Sequence, residues 1–283
     1  MAVPSRPFRL HTDLSSLAEY LRLAPYVIFD CDGLLLDTEP LYTRAAIQLA
    51  NTYLSSKLPE TSHLPPKVKL SIMGLHRARV SARLISHFNL HSLVSADEWT
   101  DKVQIYEHEL FSKPGNVKLM PGTLDVVCAL KEIGLPMAVA TSSFRLNFNC
   151  KSKAFSQFFA DSFDVIVCGD DHPSIISNLK PNPYIFSHTA GLLPCRKGVP
   201  AMGHFPFVFE DSANGVVAAL RSGHAVIWIP TAEVASDVMA DPFAPILSVL
   251  AQEDLAHLEF DCPVFLCQSM LDVANILTAQ SGS

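Results

Sequence analysis

The stretch Tyr26-Val27-Ile28-Phe29-Asp30-Cys31-Asp32-Gly33-Leu34-Leu35-Leu36-Asp37-Thr38-Glu39 decides how the chain folds. Its short apolar run, bracketed by Pro25 and Gly33, lacks polar alternation, as expected of a parallel strand covered on both faces. Two carboxylates, Asp30 and Asp32, stand where that strand would end, and open α/β sheets collect their ligands outside the carboxyl ends of strands. Residues two apart on a strand share a face, and two like charges so close are costly unless a cation sits beside them. A hard divalent ion suits the pair, since magnesium takes one or two carboxylates together with substrate phosphate oxygens. The same Asp-x-Asp-Gly also reads as an ordinary turn, because Asp and Gly are common turn formers. The rest of the chain separates the two readings.

Further apolar runs at Leu135–Ala140, Phe163–Cys168, Pro206–Glu210, Ala225–Pro230 and Pro263–Cys267 read as buried strands. Helical spacing lies between them at Thr123–Ile133, Lys151–Phe159, Pro183–Ala190 and from Asp211 to Gly223, with a last helix at Ser269–Leu277. Strands alternating with helices predict an α/β fold, a doubly wound, Rossmann-like parallel sheet with right-handed crossovers. One block breaks the alternation. Leu41, Ala45, Leu49 and Ala50 have helical spacing, Leu58–Pro66 is a Pro- and Ser-containing break, and helices are predicted at Arg77–Phe88 and Ser95–Phe111. No strand is expected there. The pattern predicts an inserted all-helical cap domain at 41–117, a core domain made of 25–40 and 118–283, and an N-terminal extension at 1–24 carrying one helix near Leu14–Leu23.

Composition narrows the function. The 283 residues are 49% apolar, enough for a packed core, and no run of eighteen apolar residues suggests a membrane span. A formal charge of −7, from 28 acidic and 21 basic residues, argues against a nucleic acid polymer as partner. A small phosphorylated metabolite, which needs only local positive charge, stays open. The seven cysteines are scattered with no Cys-x-x-Cys pair, and the 11 histidines show no metal-ligand spacing, so disulfides and zinc are disfavoured. With no apolar leader segment, a cytoplasmic protein is expected, a monomer or weak dimer.

Each strand that ends in a polar residue delivers a group to one edge of the sheet. The first brings Asp30 and Asp32, the second Thr141-Ser142-Ser143, a later one Glu210-Asp211, and Lys180-Pro181-Asn182-Pro183 opens a helix between them. Singly, Thr141, Ser142 or Asp211 reads as a helix N-cap and Lys180 as a solvated charge. Together the types fit phosphoryl transfer: a carboxylate nucleophile toward phosphorus, a second carboxyl as acid and base, and hydroxyl, ammonium and metal cation for the transferring oxygens.

With these residues the chain resembles the haloacid dehalogenase superfamily of aspartate-nucleophile phosphatases over about Tyr26–Pro230. Asp30–Glu39, Leu119-Met120-Pro121-Gly122, Ala140-Thr141-Ser142-Ser143, Gly169-Asp170-Asp171, Lys180-Pro181, and Val208–Asp211 with Asn214-Gly215-Val216 are similar to its pseudouridine-5′-phosphatase-like group. The resemblance implies Asp30 as nucleophile, Asp32 as general acid/base, Thr141 and the Ser142 amide as holders of phosphoryl oxygens, and Lys180 as a bridge between phosphate and nucleophile. It implies Mg2+ bound by Asp30, the Asp32 carbonyl and Asp211, with Glu210 as a further or outer ligand. The helical insert would be the family's cap, hinged near Leu34–Thr38 and Lys118–Gly122. Leu179 and Tyr184 depart from the family pattern, and residues 231–263 are longer than usual. His76, Arg77 and Arg79 read either as substrate contacts or as a solvated basic helix start, and Asp170 and Asp171 as entrance or turn residues. The alternative activity is a β-phosphoglucomutase-like hexose-phosphate mutase. In that group a His commonly stands where this chain has Tyr42, which favours hydrolysis, while Arg77 keeps the mutase open. Carbon–halogen hydrolysis is disfavoured by the retained Asp32, and an inactive binding protein by the intact constellation.

Overall fold

The computed structural model describes residues 7–59, 61–75, 77–194, 196, 205–255 and 258–279. In chain order the elements are β1 (Arg9–His11), α1 (Leu17–Leu23), β2 (Val27–Phe29), α2 (Glu39–Tyr53), α3 (Pro66–Ile72), α4 (Arg77–His87), α5 (Ala96–Ser112), α6 (Thr123–Glu132) and β3 (Met137–Ala140). Then come α7 (Arg145–Ser152), α8 (Ser156–Ser162), β4 (Val165–Val167), α9 (Pro173–Ile176), α10 (Tyr184–Leu192), β5 (Phe207–Glu210), α11 (Ala213–Arg221) and β6 (Ala225–Trp228). The chain closes with α12 (Ala235–Ala240), α13 (Phe243–Gln252), β7 (Pro263–Leu266) and α14 (Met270–Ala279).

The seven strands form one sheet in the order β1-β7-β6-β5-β2-β3-β4. Every pairing is parallel, with Ile28 opposite Ala138 on one side and Val208 on the other. Helices cover both faces, so β2, β3, β5, β6 and β7 are buried along their whole length, which is why their sequences are continuous apolar runs. From β2 the chain steps outward through β3 to β4, then crosses back to β5 on the opposite side of β2. The tips of β2 and β5 therefore flank the crevice where winding reverses.

Between β2 and β3 lies the cap, helices α2–α5, with its own apolar cluster around the fully buried Trp99. The two chain crossings between cap and core run side by side: Asp37 N–H donates to Lys118 O and Met120 N–H to Leu35 O, both at 2.9 Å. Further contacts fasten the cap to the core. Asn214 Nδ2 donates to Met73 O at 2.7 Å. The buried Lys69 of α3 pairs with Glu39 at 2.6 Å and with Glu233, beyond β6, at 3.1 Å. On α4, Arg79 reaches Glu253 at 2.9 Å and Arg83 Nη2 reaches Gln252 at 2.8 Å.

Three expectations are corrected. Residues 1–24 hold more than a helix, because Arg9–His11 forms the edge strand β1, paired with β7. Three partly exposed residues leave no apolar run to read. The helix expected at Lys151–Phe159 is two helices, α7 and α8, joined by a 3₁₀ turn at Lys153–Phe155. The Pro-containing break runs into α3, whose first residue is Pro66, a position where the missing N–H costs nothing. The long segment 231–263 contains α12 and α13, and its Glu233, Gln252 and Glu253 make the cap contacts just described.

Candidate active site

The backbone brings the predicted residues to one end of the sheet. Asp30 continues β2, donating its N–H to Phe209 O at 3.0 Å, and Thr141 continues β3, donating to Val167 O at 3.0 Å. Glu210 is the last residue of β5, Asp211 is the next, and Lys180 sits ahead of α10. Lys180 Nζ lies 2.5 Å from Asp30 Oδ1 and 2.6 Å from Glu210 Oε1. Asp30, Glu210 and Asp211 each offer an oxygen within 4.8 Å of the others. Asp30, Asp32, Thr141, Ser142, Lys180, Glu210 and Asp211 all line one cavity of about 170 Å³, whose opposite wall is the cap.

The cluster is short of positive charge. Burial pushes the Asp30 carboxyl up, and Glu210 and Asp32 add to this against the opposing pull of Lys180, leaving it at about 7. Burial, with Glu210 and Asp30 beside it, also raises Asp211 well above the carboxylate range. Lys180 is itself raised: burial works against its charge, but the Asp30 and Glu210 carboxylates outweigh it. Three acidic groups thus share one ammonium. The Asp211 carboxylate accepts from no donor among the described residues. Gly33, at φ +76°, lies against that carboxylate so closely that a Cβ would strike it. An additional hard cation fits this donor set, with Asp30 and Asp211 as the free oxygens. Glu210 is already committed, its Oε1 to Lys180 and its Oε2 to the N–H groups of Asp211 and Ser212 at 2.9 Å and the Ser212 hydroxyl at 3.1 Å. Its place is the outer one, and Gly215 leaves the room its carboxylate fills.

Asp32 has a different setting. Thr38 Oγ1 donates to its Oδ1 at 2.6 Å and Tyr42 OH reaches the same atom at 3.4 Å. Ser143 Oγ donates to Oδ2 at 2.8 Å, and Lys151 forms a salt bridge to that oxygen. Burial alone would raise this carboxyl, but the charge and hydrogen bonds of Lys151, with those of Thr38 and Ser143, hold it below its ordinary value. Lys151 is 1% exposed and is the functional candidate that sequence reading missed. Its only signal is position: on α7 it shares the buried face with Asn147, Phe148 and Ser152, where an unpaired lysine would be expensive.

The remaining candidates divide. Arg77 of α4 lines the cavity and pairs with Glu107 at 2.7 Å, whereas Arg79 is a rim residue tied to Glu253. His76 lies outside the described residues. Asp170 and Asp171 are turn residues: Asp170 accepts the Arg145 N–H at 2.6 Å, and Asp171 pairs with the Arg145 side chain and accepts the Cys168 N–H at 2.7 Å. Leu179 lines the cavity, while Tyr184 stacks with His188 at 5.8 Å, so neither departure removes a polar group from the cluster. Thr141 accepts the Ser143 N–H at 3.1 Å, and the Ser142 hydroxyl is buried at the cavity wall without a partner among the described residues.

A family model for haloacid dehalogenase-like hydrolases matches residues 25–223, most of the chain and all of these groups. The chain belongs to that family. Among curated proteins, this haloacid dehalogenase-like hydrolase is 31% identical to a probable pseudouridine-5′-phosphatase of Drosophila melanogaster, over 87% of this chain and 97% of that one. It is 32% identical to a probable pseudouridine-5′-phosphatase of Saccharomyces cerevisiae, over 73% of this chain and 82% of that one. Its fold matches the crystal structure of CbbY from Rhodobacter sphaeroides in complex with phosphate, with a TM-score of 0.58 at 22% identity over 88% of this chain and 96% of that one. No helix among the described residues is long and apolar enough to cross a membrane.

Proposed function

We propose that this hydrolase is a Mg2+-dependent phosphomonoesterase that cleaves a small phosphorylated metabolite through an aspartyl-phosphate on Asp30. The observation that carries the reading is the meeting of Asp30, Lys180, Glu210 and Asp211 within one cavity, with Asp32 and Thr141 at its wall. Asp30 Oδ attacks phosphorus, and the ester P–O bond breaks with its electron pair on the leaving oxygen. Asp32, held ionised by Lys151 and its hydroxyl neighbours, takes up a proton as the anionic ester binds beside it and gives that proton to the leaving oxygen. A water then loses its proton to Asp32 as its oxygen bonds phosphorus, and the P–O bond to Asp30 breaks. Thr141 and the Ser142 amide orient the phosphoryl oxygens, while Lys180 offsets the repulsion between nucleophile and phosphate. Asp30, the Asp32 carbonyl and Asp211 would hold the metal, with Glu210 behind them. When bound, the ion supplies charge neutralisation for the transferring oxygens.

The relatives' names point to pseudouridine 5′-phosphate as the first substrate to try, with nucleotides and sugar or polyol phosphates next. The cap side of the cavity supports a leaving group with a flat apolar body and acceptor oxygens. It is lined by Ile72, Leu84 and Val103, yet Arg77 Nη1 and the Trp99 indole N–H are buried there without partners among the described residues. The division into a 25–40 and 118–283 core and a 41–117 cap belongs to the same reading. So does a cytoplasmic location, which suits the six described cysteines, all free thiols. A mutase is the lesser reading, because Tyr42, where mutases commonly carry His, faces Asp32 with a phenol. The test is turnover of a panel containing pseudouridine 5′-phosphate, nucleoside monophosphates, glycerol phosphate and hexose phosphates, ranked by kcat/KM. Release of inorganic phosphate supports the proposal. Conversion of glucose 1-phosphate to glucose 6-phosphate with a bisphosphate primer would replace it by the mutase.

A further inference from the structure

We infer that Lys151 is a positioning residue for the acid/base carboxylate, fixing Asp32 in place from the core side. The inference rests on the phosphatase reading and extends it to a residue outside the constellation carried over from the family. Lys151 is buried on α7, where its ammonium meets the Asp32 Oδ2, the Ser143 Oγ at 2.7 Å and the Tyr42 hydroxyl at 3.4 Å. Ser143 itself donates to the same Asp32 oxygen. One oxygen of Asp32 is therefore held by Lys151 and Ser143, and the other by Thr38 and Tyr42.

The two pairs of donors have different anchors. Tyr42 lies within α2, the first helix of the cap, and Thr38 immediately precedes that helix, at the crossing from the core. Ser143 and Lys151 follow β3 and belong to the core. Asp32 stands two residues from Asp30 in a cavity that Glu210 and Asp211 also line, so its orientation among like charges rests on these donors. The Tyr42 donor sits in the cap and the Thr38 donor at the crossing into it. Among the described residues Lys151 is the one charged donor to Asp32, and α7 anchors it in the core. Its task is orientation: it neither touches phosphorus nor passes a proton.

The chemistry separates this role from a merely structural ion pair. A poor alkoxide leaving group needs the Asp32 proton, whereas a dinitrophenolate does not. Hydrolysis of the aspartyl-phosphate needs Asp32 as base for both. The experiment compares wild type, K151M and K151R on the alkyl phosphate ranked first in the panel and on 2,4-dinitrophenyl phosphate, with D32N and D32N/K151M as the matching pair. In K151M, kcat for the alkyl ester should fall about 100-fold with KM changed less than threefold. The aryl ester should give a burst of about one equivalent of phenolate before slow turnover, the mark of a nucleophile that still works ahead of a stalled base. K151R, which keeps a charge at this position, should recover part of kcat and shrink the burst. In the D32N background the added K151M change should leave the burst rate as it was, because the residue acts only through Asp32. Equal losses on both esters without a burst, a further loss in the D32N background, or a K151M protein with wild-type kcat would overturn the inference. If K151M does not fold by circular dichroism, K151R decides it: a partial loss of kcat on the alkyl ester with a small aryl-ester burst supports the inference, and wild-type behaviour or a uniform loss on both esters overturns it. A wild-type protein inactive on both esters would instead bring down the phosphatase reading, and the role of Lys151 with it.

Discussion

Asp30 and Asp32 leave the same strand two residues apart, and the chain gives them opposite surroundings. Asp30 is buried, faces further carboxylates and shares one ammonium with Glu210; burial first, then Glu210 and Asp32, push its pKa up to about 7 against the pull of Lys180. Asp32 is met by donors on both oxygens, and although burial opposes its charge, Lys151, Thr38 and Ser143 hold its proton more loosely than usual. One end of the site is built with too few cations and the other with enough. The first suits a place that a metal ion and a phosphate complete. The second suits a carboxylate whose own position must be settled before either arrives.

The comparison can be broken most sharply at Asp30. Asp30→Asn should lower turnover roughly 10⁴-fold or more while circular dichroism and thermal unfolding show an intact fold. Retained turnover would remove the distinction between nucleophile and acid/base. Next in size, Asp211→Asn removes a carboxyl whose ionised form the under-compensated end disfavours. In metal-free protein, at a pH alkaline enough to ionise the wild-type group, it should raise Tm by a few degrees. It should also weaken Mg2+ binding at least about tenfold by calorimetry and abolish the Mg2+-dependent gain in Tm. A metal-free variant less stable than wild type would mean the three carboxylates do not repel one another as described.

A pH titration sharpens the contrast without mutation. In metal-free protein the folded-state pKa of Asp30 lies above the unfolded value, so between about pH 4 and 7 the folded state keeps a proton that the unfolded chain releases. Stability should therefore fall as pH rises through that window, read as a declining Tm, and saturating Mg2+ should flatten the slope. The lowered pKa of Asp32 contributes with the opposite sign, its stabilisation present above about pH 4 and lost only below it. A rising Tm across the window would refute the assignment. The smallest effect is expected at Tyr42, whose contact with Asp32 is 3.4 Å long. Tyr42→Phe should cost less than about threefold in kcat, as befits a weak neutral contact, and a much larger loss would move Tyr42 among the principal supports of Asp32.

The fold was legible because burial on both faces writes continuous apolar runs into β2, β3, β5 and β6, and the polar residues that follow β2 and β3 and end β5 announce the crevice. Asp30, Thr141, Lys180 and Asp211 were readable for the same reason: each stands next to a strand end or a helix start. Lys151 was not readable, because it sits in the last turn of a helix, two residues before the exposed Lys153, and a buried lysine has the same letter as a solvated one. The Lys69–Glu39–Glu233 group was hidden for another reason, since its members lie far apart in sequence and meet only when the cap rests on the core. Edge strand β1 borrows its conformation from β7 and carries no pattern of its own.

The fasteners between the cap and the segment after β6 differ in depth, and that difference gives the cavity two bolts. The outer pair, Arg79 with Glu253, is largely in water, where ions at physiological strength screen charges beyond about 8 Å; dissolved salt can slacken it. The inner bolt, Lys69 against Glu233, is drawn only when water reaches a lysine that is 2% exposed. Parting the cap from this segment would therefore bring a buried cation into water, while the outer pair is already within reach of dissolved ions.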